Sequence, residues 1–236
     1  SRKIYQRILR PDFCHSVRDE ESKRLLESIG FQALNTGCPT LWKMTPEFCR
    51  QIPIAKASRV VFSLSGYPPQ QNRDRDADLI RILRENYQEL YFWGQTSADE
   101  PYLDTFEQVG DIKRICSLKR YQDILDSGDI DYVGTRLHGG VYAMQHKVRS
   151  IIIAIDHRAR GFHETNNLCI CERDEIPQKL TNMIQGEIVT DIHLRQDEID
   201  LWKSQFTKDY PKPLRKTHQS LAWVRILSFP LMSLQK

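Results

Sequence analysis

Short apolar runs alternate with amphipathic stretches over most of the chain. Strands are predicted at residues 13–17, 31–35, 60–64, 90–93, 112–116, 130–133, 151–155 and 168–171. Between them, runs such as 19–29, 76–86, 121–125 and 137–146 return apolar residues at three- and four-residue spacing, which predicts helices. This is a βαβ rhythm, and strands joined by helical crossovers run parallel. Val60-Val61-Phe62 and Ile151-Ile152-Ile153 are continuously apolar rather than alternating, as strands covered by helices on both faces require. The fold class that follows is α/β, with a doubly wound, mainly parallel sheet. Residues 1–190 are read as that domain and 191–236 as a helical tail.

In a sheet of this kind, ligands sit outside the carboxyl ends of the strands, where loops and helix N-termini present free N–H groups. Three predicted strands end there in small or polar residues: Ser63-Leu64-Ser65-Gly66, Trp93-Gly94-Gln95-Thr96-Ser97 and Gly134-Thr135. The tail is different in kind. Residues 192–206 read as a helix, Pro211 and Pro213 break the chain, and 220–234 is an apolar stretch interrupted by Arg225 and Pro230. That stretch is too short to span a bilayer. It suits packing on another domain or subunit, with a monotopic membrane contact as the alternative.

A chain of 236 residues with 40% hydrophobic and 28% charged side chains is neither disordered nor fibrous. The net charge of +3 is too small to point to a nucleic-acid partner. Charge is distributed unevenly, however. Residues 1–66 carry 11 basic and 6 acidic side chains, 67–134 carry 8 and 14, 135–161 carry 5 and 1, and 162–236 carry 10 of each. An anion site is therefore expected to draw on the first and third windows, with the acidic middle solvated. The six cysteines contain no C-x-x-C pair, so neither a zinc site nor a disulfide framework is indicated. They suit a reducing, cytoplasmic setting.

The stretch richest in chemistry is Asp131-Tyr132-Val133-Gly134-Thr135-Arg136-Leu137-His138-Gly139-Gly140. A strand runs into Gly-Thr, Thr135 is placed to cap a helix, and the helix opens with Arg and His. Two glycines follow, which would let a ligand approach the backbone. An anion there would receive backbone N–H groups, the positive end of the dipole, the Arg136 guanidinium and the His138 imidazole. Ser16-Val17-Arg18-Asp19-Glu20-Glu21-Ser22 delivers Arg18 at a second strand end, where Asp19 and Glu20 start a helix and a salt bridge from Arg18 to one of them is the alternative to ligand binding. Asp156-His157-Arg158-Ala159-Arg160 follows a third strand in the same way. Together these ends suit a ligand with several negative charges. Gln95 and Ser97 are read as lining the cleft or capping their loop, the aromatic cluster at 87–93 as core, His15 and His146 as packing or surface residues, and the acidic run 74–78 as a solvated helix start.

Gly134-Thr135-Arg136-Leu137-His138-Gly139-Gly140-Val141-Tyr142-Ala143-Met144-Gln145 resembles the C-terminal signature of the polysaccharide pyruvyl transferase family. The block from Ser16 to Ser22, the turn Thr36-Gly37-Cys38-Pro39-Thr40 and Leu64-Ser65-Gly66-Tyr67-Pro68 look like earlier motifs of that family, in the same order, so the resemblance covers about residues 8–185. It implies transfer of a pyruvyl group from phosphoenolpyruvate onto two hydroxyls of a sugar, in a glycan or a lipid-linked precursor, giving a cyclic ketal and phosphate. It also implies a Rossmann-like fold similar to one half of a two-domain GT-B glycosyltransferase, and a role in capsule, cell-wall or exopolysaccharide synthesis. Only the C-terminal, donor-side half is matched, and the chain opens with Ser1-Arg2 rather than Met, so a fragment lacking its acceptor domain and inactive alone is expected. No cofactor or metal is implied beyond the donor substrate. Carried over by motif, His138, Arg136 and Arg18 are the expected catalytic residues, with Thr135, Gly139, Ser65, Gln95, Arg158 and Arg160 lining the substrate. The alternatives are a nucleotide-sugar-dependent glycosyltransferase and a non-catalytic anion-binding or assembly module. The protein is expected in the cytoplasm, peripheral to the membrane or self-associated if its tail makes that contact.

Overall fold

The computed structural model describes residues 2–207; the expectations for residues 220–234 fall outside them. The first part of the chain runs α1 (Arg2–Ile8), β1 (His15–Val17), α2 (Glu20–Ser28), β2 (Ala33–Asn35) and α3 (Pro46–Cys49). The larger unit follows as β3 (Arg59–Ser63), α4 (Arg73–Asn86), β4 (Glu89–Trp93), α5 (Asp99–Leu103), β5 (Lys113–Ile115), α6 (Leu118–Asp126), β6 (Ile130–Gly134), α7 (Leu137–Gln145), β7 (Ser150–Ala154), α8 (His157–Asn166), β8 (Ile170–Glu172) and α9 (Ile176–Gln185). α10 (Gln196–Ser204) closes the described chain.

Each predicted strand forms, and all pair in parallel. Six make one sheet in the order β5-β4-β3-β6-β7-β8. Renumbered from β3, that is the 3-2-1-4-5-6 order of a Rossmann-like doubly wound sheet. Its central pair is β3 and β6, in the register Arg59↔Ile130 to Ser63↔Gly134. Between them the strand order reverses, so the loops after Ser63 and Gly134 flank the crevice where such sheets bind ligands. β1 and β2 form a separate two-stranded sheet, with Val17 opposite Asn35.

The uninterrupted apolar runs divide between two cores. Val61, Tyr132, Ile152 and Ala154 face α6, α7 and α8, while Val60, Phe62, Val133, Ile151 and Ile153 face α4, α5 and α9. Burying a side chain of this size contributes about 1.5–3 kcal/mol, so both faces favour the same register. α4 begins before the apolar periodicity does, because the Asn72 side chain caps it by accepting from the Arg75 N–H.

The acidic run at its start is not simply solvated. Asp76 is fully buried and accepts hydrogen bonds from Tyr102 Oη at 2.7 Å and Arg173 Nη2 at 2.8 Å. A charge can be tolerated inside only with such partners, and Arg173 arrives from the far end of the sequence. The aromatic cluster does behave as core: Tyr87, Tyr91 and Phe92 are buried and Trp93 stacks on Tyr121 at 3.7 Å. Among the described residues no helix is long and apolar enough to cross a membrane.

A second buried ion pair fixes the opposite end of the sheet from the crevice. Arg149, just before β7, donates to Asp131 at 2.7 Å and to the carbonyls of Met183, Ile184 and Gly186 at 2.8–2.9 Å. Tyr87 Oη also donates to Asp131, at 2.7 Å. Burial nevertheless pushes the Asp131 carboxyl above its ordinary range, so removing the guanidinium would leave a carboxylate in a dry site. Arg149→Met is expected to lower the unfolding free energy by about 3–5 kcal/mol in urea denaturation, since it takes the charged partner from a buried carboxylate and the donor from three carbonyls. A loss below about 1 kcal/mol would show that this pair is not what ties α9 to the sheet.

Candidate functional site

The crevice between β3 and β6 is built by close backbone approach. A Cβ on Gly134 would lie 2.5 Å from Ser63 Oγ and 2.7 Å from Ser63 N, so only glycine fits at the end of β6. Ser63 Oγ lies 2.6 Å from Tyr132 Oη and accepts from the Arg136 N–H at 3.2 Å, while Tyr132 Oη donates to the Arg136 carbonyl at 2.9 Å. These bonds hold the Thr135–Arg136 corner from below. Thr135 is not the helix cap. Its hydroxyl lies 3.1 Å from Ser65 Oγ, buried between the two loops, and Arg136 occupies the cap position with extended backbone.

The glycine pair that follows serves packing. A Cβ on Gly140 would be 2.0 Å from Ile152 Cδ1 and 2.8 Å from the Tyr132 ring; one on Gly139 would be 2.6 Å from Gln95 Nε2 and 2.9 Å from Tyr132 Oη. The helix is thereby pressed onto the sheet, and Gln95 lies over Gly139 where an open approach for a ligand was expected.

The residue that organises these loops is Asp99, which the sequence reading did not single out. Its carboxylate is fully buried and accepts from the N–H groups of Gly66 at 2.8 Å, Gln95 at 2.8 Å and Thr96 at 2.9 Å, and from Thr96 Oγ1 at 2.9 Å. Arg136 Nη2 also donates to it and lies 3.4 Å from Thr96 Oγ1. One side chain thus joins the loops after β3, β4 and β6. Burial alone would raise the Asp99 carboxyl, but the three N–H groups and the Arg136 charge outweigh it and hold it below the ordinary range. A sequence cue was present in Thr96-Ser97-Ala98-Asp99, the Ser/Thr-x-x-acid spacing of reciprocal loop and helix-start bonding.

The small sheet presents its own carboxyl edge to the same place. After β1, Asp19 caps α2 by accepting from the Ser22 N–H at 2.7 Å, and Arg18 pairs with Asp19 at 3.4 Å, both half-exposed. After β2, Gly37 has φ +67°, turning the chain so that Cys38 reaches His138: Sγ and Nε2 are 3.7 Å apart. Ser16 Oγ and Thr36 Oγ1, 2.6 Å apart, lock the β1 and β2 ends together, so Arg18 and Cys38 leave from one edge. His138 is exposed, on the first turn of α7, with Phe162 of α8 edge-on to its ring. Cys38 thus joins the end of β2 to the first turn of α7, beside Arg136, while Arg18, at the neighbouring end of β1, makes its ion pair with Asp19.

The remaining expected residues divide. Ser65 and Thr135 are buried behind Arg136, where they support the loop. Arg158 pairs with Asp156 at 2.6 Å and Arg160 with Glu172 at 2.8 Å; neither contacts Arg136, His138 or Arg18 among the described residues. His15 packs edge-on against Phe31, and His146 lies 2.6 Å from Asp126. No cluster of His, Cys, Asp or Glu among the described residues is placed to hold a metal ion.

The model of the polysaccharide pyruvyl transferase family matches residues 1–157, about two thirds of the chain. The chain belongs to that family. No curated protein matches it. The polysaccharide pyruvyl transferase match takes in Arg18, Cys38, Ser65, Gln95, Asp99, Arg136 and His138, and ends at His157, short of the expected reach to 185. Arg158 and Arg160 lie beyond it, on the helix where they are already paired.

The tie through Asp99 has a measurable signature. Because the folded-state carboxyl lies below its unfolded value, its contribution to stability is present above about pH 4 and is lost as pH falls through the folded value. Asp99→Ala is expected to cost about 3–5 kcal/mol at pH 7 by urea unfolding, because it leaves Arg136 and three N–H groups without their acceptor. The gap to wild type should narrow below pH 4; an equal gap at pH 7 and pH 3 would count against the charged tie.

Proposed function

We propose that the chain carries the donor site for transfer of a pyruvyl group from phosphoenolpyruvate to two hydroxyls of a sugar in a polysaccharide or its precursor, giving a pyruvate ketal and inorganic phosphate. The observation that supports this reading is the placing of Arg136 and His138 at the switch point of the large sheet, joined through Cys38 to the small sheet from whose carboxyl edge Arg18 also leaves, all within the family match.

The chemistry asks for three things. The methylene carbon of phosphoenolpyruvate must take a proton, the cationic carbon that results must be stabilised until a hydroxyl adds, and phosphate must leave before the second hydroxyl closes the ketal. The added proton comes from an enzyme acid, and the two hydroxyls each give one up, so one is returned to the acid and the other leaves with phosphate. His138 is the acid in this scheme, since an imidazolium can donate a proton and this side chain is exposed on the first turn of α7. Arg18, held only by a half-exposed pair worth little, is free to turn to an incoming anion. Arg136 has Nη2 committed to Asp99 and Nε buried, so Nη1 is left to meet a ligand, with its orientation already fixed. Arg158 and Arg160 are not needed for this assignment.

A donor that binds only the folded protein raises its melting temperature, by about 2.7 kcal/mol of stability, or roughly 5–10 °C for a chain of this size, at a hundred times its dissociation constant. Phosphoenolpyruvate is expected to produce such a shift in the whole chain, with inorganic phosphate and a UDP-sugar giving little. Arg18→Ala should weaken the response at least tenfold while leaving the ligand-free melting temperature within about 2 °C. A shift with the UDP-sugar and none with phosphoenolpyruvate would move the assignment to glycosyl transfer.

A further inference from the structure

Several polar groups converge on one sulfur at the edge of the cleft. Cys38 is buried, and its Sγ lies 3.7 Å from His138 Nε2 and 3.2 Å from Thr40 Oγ1. We propose that Cys38 and His138 form a thiolate–imidazolium pair, in which Cys38 is a nucleophilic thiol reactive towards soft carbon electrophiles and a positioning residue for the His138 ring.

The groups acting on the sulfur come from two elements. α7 supplies the His138 imidazole, and the turn after β2 supplies the Thr40 hydroxyl and N–H; α8 adds the apolar Phe162 ring against the imidazole. Burial would push the Cys38 thiol up, but these hydrogen bonds and the His138 charge hold it down at about 7. The contrast with the other thiols is internal to the molecule. Burial pushes Cys14, Cys49 and Cys169 up, and Cys171 up to about 12; the Ile192 N–H at Cys49 does not offset it, and none of the four has an imidazole beside it. A thiolate beside an imidazolium is the activated form of cysteine.

Geometry gives the pair its second role. With Nε2 held at the sulfur, the ring keeps one nitrogen, Nδ1, that makes no hydrogen bond among the described residues. That nitrogen faces a ligand's needs without competition. This part of the inference rests on the donor-site reading; the pairing itself does not.

The test uses iodoacetamide on the whole folded chain. The thiolate displaces iodide, a C–S bond forming as the C–I bond breaks, so no oxidant or other reactant is required. Alkylation of Cys38 is followed by peptide mass spectrometry between pH 5.5 and 9.5, with the exposed Cys116 as reference in the same sample. The expected result is a Cys38 profile half-maximal near pH 7. His138→Ala should slow alkylation of Cys38 about tenfold at pH 7 by returning it towards the ordinary thiol range of about 8.5, with Cys116 unchanged. If His138→Ala does not fold, His138→Gln removes the charge with a smaller change in volume and is expected to move the profile in the same direction. An unchanged profile in the folded variant, or a Cys38 that reacts only after unfolding in guanidinium, overturns the proposal.

A phosphoenolpyruvate arm separates this inference from the function on which its second role rests. Protection of Cys38 but not Cys116 by the ligand, together with the His138-dependent profile, supports both. A His138-dependent profile without protection keeps the pair and counts against the donor site, while protection with an unchanged profile does the reverse.

Discussion

Asp99 accepts hydrogen bonds from the backbone of two loops and from the guanidinium of a third, and the rest of the cleft depends on that junction. Without it, the loops after β3 and β4 would carry unsatisfied N–H groups next to a partly buried arginine from the loop after β6, an arrangement that costs several kcal/mol. With it, Gly66, Gln95 and Arg136 are placed relative to one another before any ligand arrives. The close contact of Gly134 with Ser63 and of Gly140 with Ile152 then fixes the sheet and helix on which those loops stand. Charge and packing act on the same corner, which is why its residues are small, polar or buried rather than merely exposed.

The same junction changes what the charge distribution means. Arg18 comes from the basic first window, and Arg136 and His138 from the basic third, as an anion site would require. The acidic window between them is not a solvated spacer, however. It supplies Asp99 to orient Arg136, Asp76 to receive Arg173 and Asp131 to receive Arg149, each carboxylate inside the protein and each paired with an arginine remote in sequence. Net charge by window reports the sign of the groups available, not whether they face water or one another.

That distinction marks how far the sequence could be read. The parallel sheet was legible because continuous apolar runs such as Ile151-Ile152-Ile153 have few other solutions, and the loop after β6 because a strand, a glycine, an arginine and a histidine fall in one short stretch. The motif order then led to the family, whose match ends at His157. What could not be read depended on long-range contacts. The Thr96-x-x-Asp99 spacing marks a loop or helix-start acid, but nothing local shows that Asp99 is buried and pairs with an arginine 37 positions away. Thr135 sits where a cap would, yet Ser65 on a neighbouring loop takes its hydroxyl. Arg158 and Arg160 have the right sign and the right sheet edge, but acids two and twelve residues away claim them.

The proposed site for a multiply charged anion would be expected to hold its arginines free, yet Arg136 is tied down by Asp99. An arginine with no partner would have to be kept in water to remain stable, and its side chain would then lose conformational freedom when the ligand arrived. Anchoring one edge of the guanidinium on Asp99 removes part of its charge from the ligand's field but leaves less to order on binding. The exposed Arg18 represents the other arrangement, with more charge available and less geometry fixed. A site containing one of each can draw in an anion with the flexible cation and align it on the rigid one. In the pyruvyl transfer proposed above, alignment on the rigid group next to His138 would contribute at the carbon that takes the proton, where uniform binding would not.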